Sequence, residues 1–243
     1  MPVVPFTDGR IYVAGVNLSG HANAGILELT AAELDASSIS DGWDVTVMGR
    51  RKAALSASGF WEAGSGYPDD LYELVGDAGQ PVMVLPDGDE GGVGYAVRAV
   101  PVAYTVGGQS GELVNFSVSA MGDLARAVRG TIVADDAAAI TSTSDGTAYQ
   151  LGAVSSAQTV YAALHVLAVS GTNPTLDVIV ESDSVEAFSG TPATQLTFTQ
   201  TTGLGAEWQS LAGVNTDTWW RVGYTIGGTD SPSFTVAILV AIH

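Results

Sequence analysis

Alternation of apolar and polar residues with a period of two dominates this sequence and restricts its fold more than any other feature. In residues 111–120, Val114, Phe116 and Val118 fall on one face of an extended chain and polar residues fall on the other. Such alternation is typical of a β-strand with one buried face. The same pattern predicts strands at 11–16, 95–106, 160–169, 176–182, 196–202, 219–226 and 234–242. The chain is therefore expected to be all-β.

Glycine pairs and Asp-Gly steps separate the predicted strands, as tight turns require. They lie at 87–88, 91–92, 107–108, 145–146 and 227–228. One segment has the signature of a helix, because Pro68 suits a first helical position, Leu71 and Leu74 form an apolar stripe, and Gly76 provides an end. We expect one short packed helix in an otherwise β-structured chain.

A change of composition near residue 130 divides the chain. Residues 130–147 are rich in Ala, Asp, Ser and Thr and have no strong pattern. We predict a first β-domain at 1–130, a linker at 131–147 and a C-terminal β-sandwich at 148–243. The motif Tyr-Thr-Val-Gly-Gly at 104–108 recurs as Tyr-Thr-Ile-Gly-Gly at 224–228. There are two alternative explanations for this recurrence: an internal duplication, or convergence of two hairpins on the same turn sequence.

The charge balance limits the possible partners. The 243 residues include 26 Asp and Glu but only 8 Lys and Arg, for a formal charge of −18. Tight binding to nucleic acids or to anionic membranes is therefore disfavoured. No apolar run reaches the roughly 18 residues of a membrane helix, and the N-terminus lacks the regions of a signal peptide. We expect no membrane association, and a protein that stays in the cell that made it until lysis.

Chemistry-bearing residues are sparse and dispersed. The chain has no cysteine, and its three histidines are His21, His165 and His243. The acidic segment 87–92 lacks the ligand spacing of a calcium loop. A hydrolase nucleophile elbow and a phosphate-binding glycine loop are also missing from the sequence. We therefore expect no cofactor, no metal site and no enzymatic activity.

Aromatic and basic residues of the first half suggest contacts between subunits. Aromatic anchors in loop-rich sequence often mark interfaces, and the chain's one basic cluster would attract an acidic patch on another copy. A solvated loop is the alternative for that cluster. The inter-subunit candidates are Trp43, Asp44, Arg50, Arg51, Lys52, Phe60 and Trp61.

In the second half, Trp219 and Trp220 are adjacent in a predicted strand. One ring should therefore face the core and the other should face outward. Beside Arg221, the outward ring would stack on a sugar or bury in a subunit contact. The alternative is that it only covers a sheet edge.

Motifs of the first half, in their order, resemble those of the major tail proteins, or tail tube proteins, of long-tailed bacteriophages. They are YVAGVNLSG at 12–20, WDVTVMGR at 43–50, FWEAG at 60–64 and YTVGGQSGELVNFS at 104–117. The resemblance covers about residues 10–120, and the second half matches less clearly. It implies a β-sandwich or barrel with one packed helix, assembled into usually hexameric rings. Stacked rings would form the tube through which the genome leaves the virion.

The same resemblance implies a partner set and a location. The partners would be other copies of the chain and other tail proteins, in a virion tail that is assembled in the host cytoplasm. DNA would pass through without specific binding, since an acidic, lysine-poor wall does not retain phosphates. Glu28, Glu33 and Asp35 are candidates for the channel face, because they lie on an alternating segment after the first strand.

The second half leaves two arrangements open. It is either an outer domain that decorates the tube or a second tube-like module, in which case three chains would form a pseudo-six-fold ring. Two other functions also fit the sequence, namely a carbohydrate-binding β-sandwich of a phage particle and a capsid decoration protein. A decoration protein would bind preformed shells and would not polymerise alone.

Overall fold

Long antiparallel strands make up most of the chain in the computed structural model, which describes residues 8–40, 42–64, 67–123 and 126–243. The strands are β1 (Arg10–Val13), β2 (Val16–Asn17), β3 (Ala22–Asp35), β4 (Thr46–Phe60), β5 (Gln80–Leu85), β6 (Val93–Gly107), β7 (Asn115–Gly122), β8 (Val128–Ala134), β9 (Ser144–Asp145), β10 (Tyr149–Gln150), β11 (Thr159–Asp183), β12 (Ala193–Thr197), β13 (Gly205–Ala212) and β14 (Trp219–Ile242). All of them join one sheet. The predicted all-β class is confirmed.

The predicted helix is present as a short 3-10 helix, Pro68–Tyr72. Pro68 occupies the first turn, where its missing N–H has no helical partner to lose. Pro68 and Leu71 are buried, so the helix is packed against the core of the first half. It ends before Gly76, whose N–H donates instead to the Pro101 carbonyl oxygen at 2.8 Å.

Four strands of the first half are hydrogen-bonded in the order β3–β4–β7–β6, and we call them the four-stranded unit. β6 is long enough to change partners: its beginning pairs with β5 and β8, and its residues from 99 to 107 pair with β7. Leu55, Phe116 and Val118 share one face of the unit and are buried against the 3-10 helix and β5. The other face of the unit is left to solvent.

In the second half, β11 and β14 each cover two of the predicted strands. They pair with each other along almost their whole length, with register irregularities near Ser170 and Thr172. The predicted turn at 227–228 is therefore wrong. Gly228 has a φ of 116°, which a turn and a bulge both accept, and here it belongs to a bulged stretch that bends the ladder without ending it.

Buried apolar side chains form three clusters. One contains residues between 11 and 120, including Phe116, and a second contains residues between 133 and 240, including Trp220. The third contains residues of both halves, including Met83 and Leu239. β8 pairs with β6 and also with β14, so it connects the two halves of the sheet. The division into domains at 1–130 and 148–243, with a linker at 131–147, stays a prediction.

A buried neutral histidine lies where the two halves meet. His165 on β11 is fully buried, and its ring centroid is 5.6 Å from that of Tyr12. Its Nδ1 accepts a hydrogen bond of 3.1 Å from the Gly15 N–H. Burial lowers the pKa of His165 to about 3, because a protonated ring at this position would lose its hydration.

We predict that this histidine makes the fold sensitive to mild acid. An unfolded histidine has a pKa of about 6.5, so the unfolded chain binds a proton as pH falls below that value and the folded chain does not until about pH 3. The free energy of unfolding therefore falls as the pH drops below 6.5. This one histidine accounts for a loss of about 2 kcal/mol between pH 7 and pH 5.

His165→Asn keeps an acceptor for the Gly15 N–H and removes the titration. Urea unfolding of both proteins at pH 7 and pH 5 measures the effect, and the variant should lose less free energy of unfolding on acidification. An equal pH dependence in the two proteins would contradict this account of His165.

Candidate assembly interface

The hairpin of β3 and β4 extends beyond the rest of the four-stranded unit. β4 pairs with β7 only from Ala54 to Phe60, whereas its earlier residues pair with β3 alone. We call residues 28–40 and 42–52 the arm. Nearly every described residue of the arm is exposed. A two-stranded ribbon without further partners is marginal in water, so contact with another molecule would stabilise the arm.

Apolar side chains are exposed along the arm. Trp43 near its tip is 90% exposed, and Ile39 is fully exposed. Other exposed apolar residues of the arm are Leu29, Leu34, Val45, Val47 and Met48. Several exposed apolar side chains on one projecting element are typical of a contact site.

Two strand edges of the four-stranded unit are open. Within the described residues, β3 pairs only with β4, and residues 102–107 of β6 pair only with β7. The two edges lie on opposite sides of the unit. An open edge presents unpaired N–H and C=O groups that can accept another strand. Each edge is therefore a candidate contact for a strand of another chain.

The solvent-facing side of the unit is neutral and rich in hydroxyl groups. The register sets Ser56 opposite Ser119 and Ser58 opposite Ser117, and Thr105 opposite Ser117 on β6. Directly opposite residues share a face of the sheet. We call this the hydroxyl face. The part of it formed by 54–60, β7 and 103–107 contains no charged residue.

The three predicted channel residues are all exposed on β3, but they do not share a face. Glu28 lies opposite Ala54, on the hydroxyl face, whereas Glu33 and Asp35 alternate to the other side. Hydrogen bonds from the Ser37 side chain and backbone lower the pKa of Asp35. Only Glu28 is therefore placed beside the serines.

Five of the seven inter-subunit candidates lie on the arm: Trp43, Asp44, Arg50, Arg51 and Lys52. The other two lie at the far end of β4 and after it. Phe60 is half-exposed, and Trp61 packs against the core of the first half. Trp43 and the basic cluster 50–52 therefore lie together on the arm, whereas Phe60 and Trp61 lie apart from them.

Two further basic residues, Arg126 and Arg129, lie close to the base of the arm. They line a cleft together with Arg51 and Lys52. Nothing in the local sequence around 126–129 indicates this proximity, because it depends on the pairing of β6 with β8 and on the path of the arm.

The three candidates of the second half differ in their surroundings. Trp220 is fully buried and donates from Nε1 to the Gly152 carbonyl oxygen at 2.9 Å, whereas Trp219 is partly exposed. Arg221 makes ion pairs of 3.0 Å with Asp145 and Glu181. Its guanidinium also lies 4.1 Å from the centre of the Phe188 ring. Of the three, only Trp219 remains available for an external contact.

Across residues 8–40, 42–64, 67–123 and 126–243, no group of three or more His, Asp or Glu could hold a metal ion. In the same residues, no helix has the length and apolar character to cross a membrane. The expected lack of a cofactor and of enzymatic activity stays a prediction.

No protein-family model matches this chain, and neither does any curated protein. Solved structures similar to it include a chain from the virion of a native gene transfer agent particle, with 16% identity and a TM-score of 0.40. That alignment covers 51% of this chain and 96% of the other chain. The SPP1 tail tube aligns at 7% identity and a TM-score of 0.41, covering 53% and 80%. The SPP1 Dit protein, described as a paradigm of the hub adsorption apparatus in phages that infect Gram-positive bacteria, aligns at 11% identity and a TM-score of 0.33, covering 97% and 99%. Since these TM-scores are below 0.5, we base the following proposal on the residues of this chain.

Proposed function

We propose that this chain is a virion structural protein that joins copies of itself into rings, which stack into a tail tube for the passage of DNA. The observation that carries the proposal is the four-stranded unit, which has an open edge on each side and one polar face whose part formed by 54–60, β7 and 103–107 contains no charged residue. The proposed partners are other copies of the chain and other tail proteins, and the proposed location is the phage virion.

Ring formation follows from the two open edges. The β3 edge of one copy would pair with residues 102–107 of β6 in the next copy, and the same contact would repeat around the ring. A head-to-tail contact of this kind closes when the rotation between copies allows it. A closed barrel needs roughly 16 to 18 strands before its lumen carries water, so at least about four copies are needed. The six copies implied by the resemblance would supply about 24 strands.

The hydroxyl face suits the wall of the bore. Serine and threonine hydroxyls remain hydrated and carry no positive charge that would retain DNA phosphates. Glu28 and Lys52 are diagonal neighbours on this face, since Lys52 lies opposite Thr30 and Glu28 opposite Ala54. Their opposite charges offset each other, so these two residues add no net charge to the proposed bore, whereas the composition predicted an acidic channel.

Proline substitutions in β3 test the proposed edge pairing. Glu28→Pro and Leu29→Pro affect successive residues, and only one of two successive N–H groups bonds to β4. The proline that removes the outward N–H should leave the β3–β4 ladder intact and prevent pairing with the next copy. We expect that variant to keep the thermal midpoint of the wild type and to elute as a monomer from a size-exclusion column.

Glu28→Ala and Leu29→Ala retain both N–H groups and serve as matched controls, which should form rings. Ring formation by both proline variants at the wild-type level would rule out the β3 edge as the contact.

Cysteine labelling tests which face lines the bore. The chain has no cysteine, so Ser117→Cys provides a single thiol on the hydroxyl face. In rings, this thiol should react with a small maleimide and resist a maleimide attached to a large polyethylene glycol chain. In monomers, both reagents should react. The degree of labelling is read from intact mass.

Ser142→Cys is the control, because Ser142 is exposed in the second half, away from the unit. It should react with both reagents in rings and in monomers. Equal labelling of both cysteines by the large reagent in rings would place the hydroxyl face outside the bore.

A further inference from the structure

The eight basic side chains of this chain fall into two groups. Three arginines form ion pairs within the chain: Arg10 with Asp136, Arg98 with Asp123, and Arg221 with Asp145 and Glu181. The five without an ion pair to any described residue are Arg50, Arg51, Lys52, Arg126 and Arg129. In a chain with 26 acidic residues, such a set of unpaired cations is available to carboxylates of another molecule.

Four of these five cations line one cleft at the base of the arm, with a volume of about 470 Å³. Leu29, Ala53 and Val128 contribute apolar lining, and the lining residues include no Asp or Glu. On the β8 side, the cleft is bounded by His243, whose Nε2 lies 3.1 Å from the backbone nitrogen of Arg129. Arg51, Arg126 and Arg129 form no ion pair with any described residue and repel one another, so an anionic occupant would stabilise the cleft.

An acidic turn lies at the opposite end of β8. The turn between β5 and β6 contains Asp87, Asp89 and Glu90, and the last two are exposed. It is fixed to the end of β8, because the Gly91 N–H donates to the Ile132 carbonyl oxygen at 2.7 Å. β8 has seven residues, which separate its ends by about 20 Å at roughly 3.3 Å per residue. The acidic turn therefore cannot neutralise the cleft of its own chain.

We propose that the cleft of one copy binds the acidic turn, residues 87–90, of a second copy, and that this contact stacks one ring on the next. This inference rests on the proposed ring. The two surfaces face opposite ends of β8, so the contact is head to tail and repeats without closing. The cleft is lined in part by β3, but the charged residues of the contact lie outside β3 and β6. Charge variants of the cleft and of the turn therefore test stacking separately from ring formation.

Charge exchange tests the proposal. Arg126→Glu with Arg129→Glu reverses the cleft, and Asp89→Arg with Glu90→Arg reverses the turn. All four side chains are exposed. Each double variant should form rings and lose stacking at low salt, as measured by sedimentation velocity and negative-stain electron microscopy. The fourfold variant should recover stacking, because it restores opposite charges at the contact.

Asp77→Arg with Glu186→Arg is the matched control. Both residues are exposed, and the substitution changes the net charge by the same amount as reversal of the turn. This control should stack as the wild type does. Circular dichroism of every variant checks that the fold is retained.

Several results would overturn the proposal. Wild-type rings that do not stack, double variants that stack normally, or a fourfold variant that fails to recover stacking would each do so and leave the proposed ring intact. A wild type that forms no rings would overturn the ring as well. Binding of labelled single-stranded DNA by the wild type and its loss in the cleft variant would assign the cleft to nucleic acid instead.

Discussion

The proposed association of this chain depends on unpaired backbone hydrogen-bonding groups along two strand edges. β3 and the end of β6 bound a sheet of four strands that is too narrow to close on itself. The arm adds exposed apolar surface next to one of these edges, including Trp43 and Met48. Edge strands of this length favour association with another chain. Copies of the same chain provide a matching edge on the opposite side of the unit.

Charge is arranged in keeping with such an assembly. Arg10, Arg98 and Arg221 stabilise the individual subunit through internal ion pairs. The unpaired cations are concentrated at the arm and at the start of β8, and an exposed acidic turn lies at the other end of that strand. The hydroxyl face between the two edges has little charge. In the proposed assembly, each surface of the subunit would have a different role: strand pairing, stacking or passage of a polyanion.

Periodicity predicted much of this fold because a strand with one buried face has an apolar residue at every second position. Phe116 and Val118 are buried as the alternation indicated, and Pro68 begins a short helix. The turn at 227–228 was wrong because glycines with positive φ occur in bulges as well as in turns. The cleft was not predictable, since Arg51 and Arg129 approach each other only through the pairing of distant strands. The grouping of Glu28 with Glu33 on one face ignored the alternation of side chains along β3, because residues five apart in a strand lie on opposite faces.

Electron cryo-microscopy of the concentrated wild-type protein at low salt tests the central claim most directly. The account predicts hollow rings in which β3 of one copy pairs with the end of β6 in the next, with Ser56, Ser117 and Ser119 around the bore. Single unassociated particles at all concentrations would contradict it. Rings whose bore is lined by the face that carries Glu33 and Asp35 would contradict it as well.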